Sequence, residues 1–225
     1  MTPARWAECL IDIARPVLAD DPVDLAFDLD ARRAFAETFR DEMTARPSVV
    51  APFLADLVGV PAPPEPGDAT PDDALWYALA HGTPNVADLV RPDAGPLLRD
   101  PADQTSIEVR TESELIALHA LSEVASRREN HGLHARCRAA ALWHLAELQP
   151  DNATNHPWAI QVFIRLACDE AHTDTGASAL VHAQTQLHSS QVALGRPDRL
   201  SACILLHAAR SLERAPGRPS STCPA

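Results

Sequence analysis

At 225 residues the chain is long enough to bury a core as one domain or two small ones. Its 31 acidic and 19 basic residues give a net charge of −12. A nucleic-acid or anionic-membrane surface needs clustered positive charge, so neither partner is expected. Lysine is absent, proline is high at 20 and glycine low at 8, while the abundant Ala, Leu and Arg favour helix over strand.

Five cysteines, Cys9, Cys137, Cys168, Cys203 and Cys223, are odd in number and widely spread. Three sit inside apolar helical patterns, which predicts buried reduced thiols and a cytoplasmic location, not a disulfide framework. No apolar stretch has the form of a signal peptide or the length of a membrane span.

In chain order, Pro3 to Ala19 reads as a helix with Trp6, Leu10 and Ile13 on one face, kinked or ended by Pro16. Asp30 is placed to cap a second helix carrying Phe35 and Phe39, and residues 48–58 form a short apolar third. The five prolines between Val60 and Asp73 mark a linker, followed by short helices at 72–80 and 83–90, the latter with Thr83 as its cap. Arg91 to Ser106 is a second proline-containing loop. Thr111 and Glu114 have capping-box spacing and open a long helix that ends near Asn130 and Gly132. Helices at 177–194 and from Asp198 onward complete the set. The expected organisation is an N-terminal helical segment (1–60), a proline-rich linker with short helices (61–106), a helical-hairpin domain (107–213) and a disordered tail (214–225), with one continuous domain as the alternative.

The centre of the chain is the stretch 136–165. Leu133, Cys137, Ala140, Ala141, His144 and Leu148 recur at helical spacing, and Leu142, Trp143, Leu145 and Ala146 fill the other sides, which predicts all-round burial. Pro150 ends this helix, and Asn155 with Pro157 opens the next, which is also apolar on most sides. Leu148-Gln149-Pro150-Asp151-Asn152-Ala153, following an Ala-rich helix, resembles the inter-repeat turn of tetratricopeptide-type helical repeats over about 35 residues. A second turn of this kind, Gly195-Arg196-Pro197-Asp198, follows at a longer interval than the ~34-residue period of that repeat. The resemblance implies a binding surface. The fold class is all-α: about ten helices in antiparallel α-hairpins, stacked as a bundle or short α-solenoid.

Sequence motifs fix no reaction. Asp169-Glu170-Ala171-His172 spells the acidic box of a helicase family, but no phosphate-cradling Gly-Lys-Ser/Thr loop precedes it. Ten histidines are the more informative feature. Folding the chain about its turns brings His119, His144, His207 and Gln186 or His182 to one level, a polar layer inside a bundle. Its imidazoles are candidates for acid–base catalysis (His119, His144, His207) or for binding a divalent metal (His119, His144, His182). Asp151, Asn152, Asn155 and His156, with Trp158, His182 and Gln186, form a candidate polar ligand site. The expected function is a binding or scaffold module for a protein, a peptide or a small polar ligand; the alternative is an enzyme using the histidine layer. No cofactor and no oligomeric state is implied.

Overall fold

The computed structural model describes residues 1–43, 51–67, 69–83, 85–98, 106–148 and 156–214. Among these residues there are nine α-helices and no strand: α1 Pro3–Ala14, α2 Leu29–Thr38, α3 Ala51–Val58, α4 Pro71–His81, α5 Ile107–Arg127, α6 His131–Glu147, α7 Ile160–Asp169, α8 Asp174–Val192 and α9 Arg199–Glu213. A short 3-10 turn covers Val86–Leu89. None of the helices is long and apolar enough to cross a membrane. Of the expected tail, 214–225, Arg214 caps the end of α9 and residues 215–225 lie outside the described residues.

Most helix starts follow simple capping chemistry. Thr2, Asp28, Thr70, Ser106, Asn130, Thr173 and Asp198 each accept a first-turn backbone N–H with a side-chain oxygen. Consecutive helices pack together at α4/α5, α5/α6 and α7/α8, but α9 lies chiefly along α1 instead of pairing with α8. Residues on both sides of the proline-rich stretch therefore share one hydrophobic cluster. Its centre is aromatic: Phe53 of α3 meets Trp158 at 4.9 Å and Trp76 of α4 at 5.1 Å between ring centres.

Several local signals are overridden. Asp28, not Asp30, caps α2. Gly82, left-handed at φ 69°, closes α4, and only a 3-10 turn follows, with Asn85 and not Thr83 at its cap position. α5 begins at Ile107, so Thr111 is buried inside it. Glu114, instead of completing a capping box, accepts the backbone N–H groups of Leu97 and Leu98 at 2.6 and 3.0 Å. Arg136 donates from α6 to the carbonyls of Arg91, Gly95 and Pro96. The loop main chain needs these partners, and supplying them outweighs a local cap. His131 and Gly132 form the first turn of α6 where a connection was expected, and α7 starts behind Ala159, with Asn155 outside the described residues.

The all-round burial expected of α6 is not found. Leu133, Cys137, Ala140, Ala141 and His144 are buried, but Trp143 and Leu145 are half-buried and Ala146 is exposed. α7 is buried on most sides, from Ile160 through Ala167. Gly176 carries the α7–α8 junction: a Cβ there would stand 1.9 Å from the backbone oxygen of Glu170.

These contacts give two expectations for urea denaturation. Trp158→Ala, at a fully packed site, should cost about 3–5 kcal/mol, and Trp143→Ala well under half of that; equal losses would contradict the one-sided burial of α6. Gly176→Ala should cost about 1–3 kcal/mol, because Glu170 main chain has to move, and an unchanged midpoint would contradict the close approach.

Candidate functional site

Two rings of the expected histidine layer meet inside the aromatic cluster. His119 projects from α5 and His207 from α9, and His119 Nε2 lies 3.0 Å from His207 Nδ1. Both rings are buried, with Trp76, Phe53 and Trp158 around His119 and Trp76 and Phe53 against His207. The bonds beyond this contact fix the protons. The Ala159 N–H donates to His119 Nδ1 at 3.3 Å, so His119 carries its proton on Nε2 and donates it to His207 Nδ1. His207 must then hold its proton on Nε2, which donates to Asp56 Oδ2 at 3.0 Å. Arg127 closes the chain with a two-bond clasp on the Asp56 carboxylate at 2.7 and 2.6 Å. A single polarised chain thus runs from the start of α7 to the end of α3.

The charges follow from these neighbours. Burial drives His119 well below the usual imidazole range. Burial alone would raise Asp56, but its hydrogen bonds to His207 and Arg127 hold it a long way below the usual carboxylate range. The chain is one of neutral rings ending on a permanent carboxylate.

Asp56 and His207 open on a cleft of about 410 Å³, which Arg127, Arg210 and Arg214 also line. Asp24 supplies the other carboxylate of the lining, and Leu25 and Leu57 supply apolar surface. Arg210 donates to the carbonyls of Leu57 and Val23, at 2.7 and 2.8 Å, which hold its guanidinium without neutralising it. Beneath the cleft, Glu123 is fully buried; one oxygen accepts from Arg214 at 2.5 Å, and the other has no hydrogen-bond partner among the described residues. None of Asp56, Glu123, Arg127, Arg210 or Arg214 stands in a recognisable motif. The one sequence signal was the i, i+4 spacing of His119 and Glu123 on α5.

Of the other members of the layer, Gln186 reaches the Trp158–Ala159 peptide beside this pair. His144 and His182 form a second buried group around Phe163, at 6.2 and 4.1 Å between ring centres. None of their four ring nitrogens has a partner among the described residues. α9 packs chiefly along α1 and not along α8, so the succession of hairpins that the layer assumed does not extend to α9. Gln186 donates to the Trp158 carbonyl at 3.0 Å, and both are interior residues, so neither faces a ligand as expected. His156 Nδ1 meets Glu112 at 2.8 Å, and its Nε2 lies 3.6 Å from Asp198. Burial works to lower His156, but the Glu112 hydrogen bond and the charges of Glu112, Asp198 and Asp41 raise it overall. Asp151, Asn152 and Asn155 of the expected polar site lie outside the described residues.

Burial pushes His144 down to about 3, with His182 adding to the effect, and His182 down to about 4. The unfolded chain takes up these protons near pH 6.5. Their contribution to stability is therefore whole above pH 6.5 and is lost as pH falls toward 4 and then 3. Denaturation midpoints measured between pH 7 and pH 4 should drop steeply, and His144→Leu should flatten the slope; an unchanged slope in that variant would contradict the neutral buried pair.

Compared with known protein families, with curated proteins and with solved structures, the chain gives no match.

Proposed function

We infer that the chain is a binding module whose ligand is an organic anion, a carboxylate or phosphate on a partly apolar body, held in the cleft over Asp56 and His207. The observation that carries this reading is the convergence of Arg127, Arg210 and Arg214 on one cleft of a chain whose net charge is −12. Guanidinium forks suit carboxylate and phosphate oxygens, and a low-dielectric wall strengthens their pull. Arg210 supports it most, because the carbonyls that fix it leave its charge available. Leu25 and Leu57 give the apolar part of a ligand a surface. A peptide carboxylate meets the same description: Leu25, and Phe27 and Leu29 after it, are exposed apolar side chains.

Acid–base catalysis by the histidine pair has less support. Each ring of His119 and His207 uses one nitrogen as donor and the other as acceptor within the chain of bonds, so neither offers a lone pair to a substrate.

Calorimetric titration with inorganic phosphate and with carboxylates of increasing alkyl length tests the reading. Saturable one-site binding is expected, tighter for hexanoate than for acetate, and weakened about ten-fold or more in Arg210→Ala, since a hydrogen bond to a charged group contributes roughly 1.5–3 kcal/mol. An absence of saturable binding into the millimolar range, or equal affinity in Arg210→Ala, would overturn it.

A further inference from the structure

We propose that His119, Glu123 and His207 form a binding site for a divalent transition-metal ion such as zinc, entered from the cleft and assembled by turning over the peptide between Trp158 and Ala159. One nitrogen of each ring and a Glu123 oxygen already lie within 4.8 Å of one another. Two imidazoles and a carboxylate suit zinc, and manganese or iron on a wider coordination shell. Bonds of about 2.0–2.2 Å place tetrahedral ligand atoms about 3.3 Å apart. The two ring nitrogens, now 3.0 Å apart, need to open only slightly, and Glu123 needs to close in.

A second observation points to a ligand here independently of the clustering. Glu123 is fully buried, yet one of its oxygens has no partner among the described residues, although a buried carboxylate oxygen left without a hydrogen bond is costly. A metal would take that oxygen while the other stays on Arg214. The support expected around ligating histidines is also in place on one side, where His207 Nε2–H donates to Asp56.

The obstacle is on the other side. Metal on His119 Nε2 moves the ring proton to Nδ1, which now faces the Ala159 N–H. The peptide plane carrying that N–H is poised to rotate. Ala159 sits in the left-handed region at φ 59°, which disfavours any residue with a Cβ. Rotation by about half a turn would bring φ back to negative values, where a Cβ is tolerated, and aim the Trp158 carbonyl at His119 Nδ1–H. The displaced N–H would turn toward Gln186, whose side chain now donates to the Trp158 carbonyl and whose own oxygen lacks a partner among the described residues. A turn of the Gln186 amide would let that oxygen accept it. Every bond broken has a counterpart made. The rings hold two protons before and two after, so the ion enters without releasing a ring proton.

The ion stands apart from the organic anion of the preceding reading and is tested in anion-free buffer. Chelator-treated full-length protein would be titrated with Zn²⁺ by calorimetry in two buffers of different ionisation enthalpy, and with Co²⁺ by visible absorption. Expected are one ion per chain, ligand-field bands of nitrogen–oxygen coordination, and no proton release. Glu123→Gln and His207→Gln should each weaken binding ten-fold or more, with circular dichroism reporting whether each variant folds. Ala159→Gly, which leaves every ligand in place, should weaken it about five-fold by relieving the strain of the metal-free form. Binding unchanged in either ligand variant, or none in the parent, would overturn the site. One proton released per ion, or an unaltered affinity in Ala159→Gly, would overturn the rotating peptide.

Discussion

The bond between His119 and His207 is the constraint on which the interior depends. It joins α5 to α9, two helices distant in sequence, at the one place where Phe53, Trp76 and Trp158 converge. An apolar pair there would pack without direction. Two imidazoles pack only in one orientation, because each must donate with one nitrogen and accept with the other once water is excluded. The direction of that bond then settles its neighbours: an N–H at Ala159 on one side, and a carboxylate at Asp56 on the other. The register of α3 against α9 and the backbone geometry at the head of α7 both follow from it.

Electrostatics extends the same logic to the surface. Asp56 stays ionised because His207 and Arg127 bond it, and Glu123 lies beneath Arg127 and Arg214. Arginines that neutralise buried acids also face the cleft. Internal charge pairing and external recognition therefore draw on the same side chains.

How much was legible in the sequence depends on the range of the interaction. Helical periodicity and Pro and Gly positions suffice for an all-α chain, and the buried stripe Leu133–Cys137–Ala140–Ala141–His144 lies where its spacing puts it. Asp198 as a cap was equally readable, since its partner, Ser201 N–H, is three residues away. His119 and His207 were singled out by folding the chain about its turns, an argument that α9 then departs from by packing along α1. His144 and His182 pack around Phe163 instead. Asp56, Arg127, Arg210 and Arg214 carried no signal, because charged residues near helix ends are usually solvated, and only tertiary packing turns these four toward one another. Thr111 and Glu114 illustrate the converse: a correct local rule lost to two backbone donors in a distant loop.

The grip of Glu114 and Arg136 on residues 91–98 has a further consequence. Both side chains hold main-chain atoms alone, the N–H groups of Leu97 and Leu98 and the carbonyls of Arg91, Gly95 and Pro96. Such a clamp is indifferent to most side chains the strap carries, since every residue offers a carbonyl and every residue but proline an amide hydrogen. Exchanges at the exposed positions Pro92 and Ala94 leave these main-chain bonds in place, whereas the loss of either clamping residue removes part of them whatever the composition of the segment.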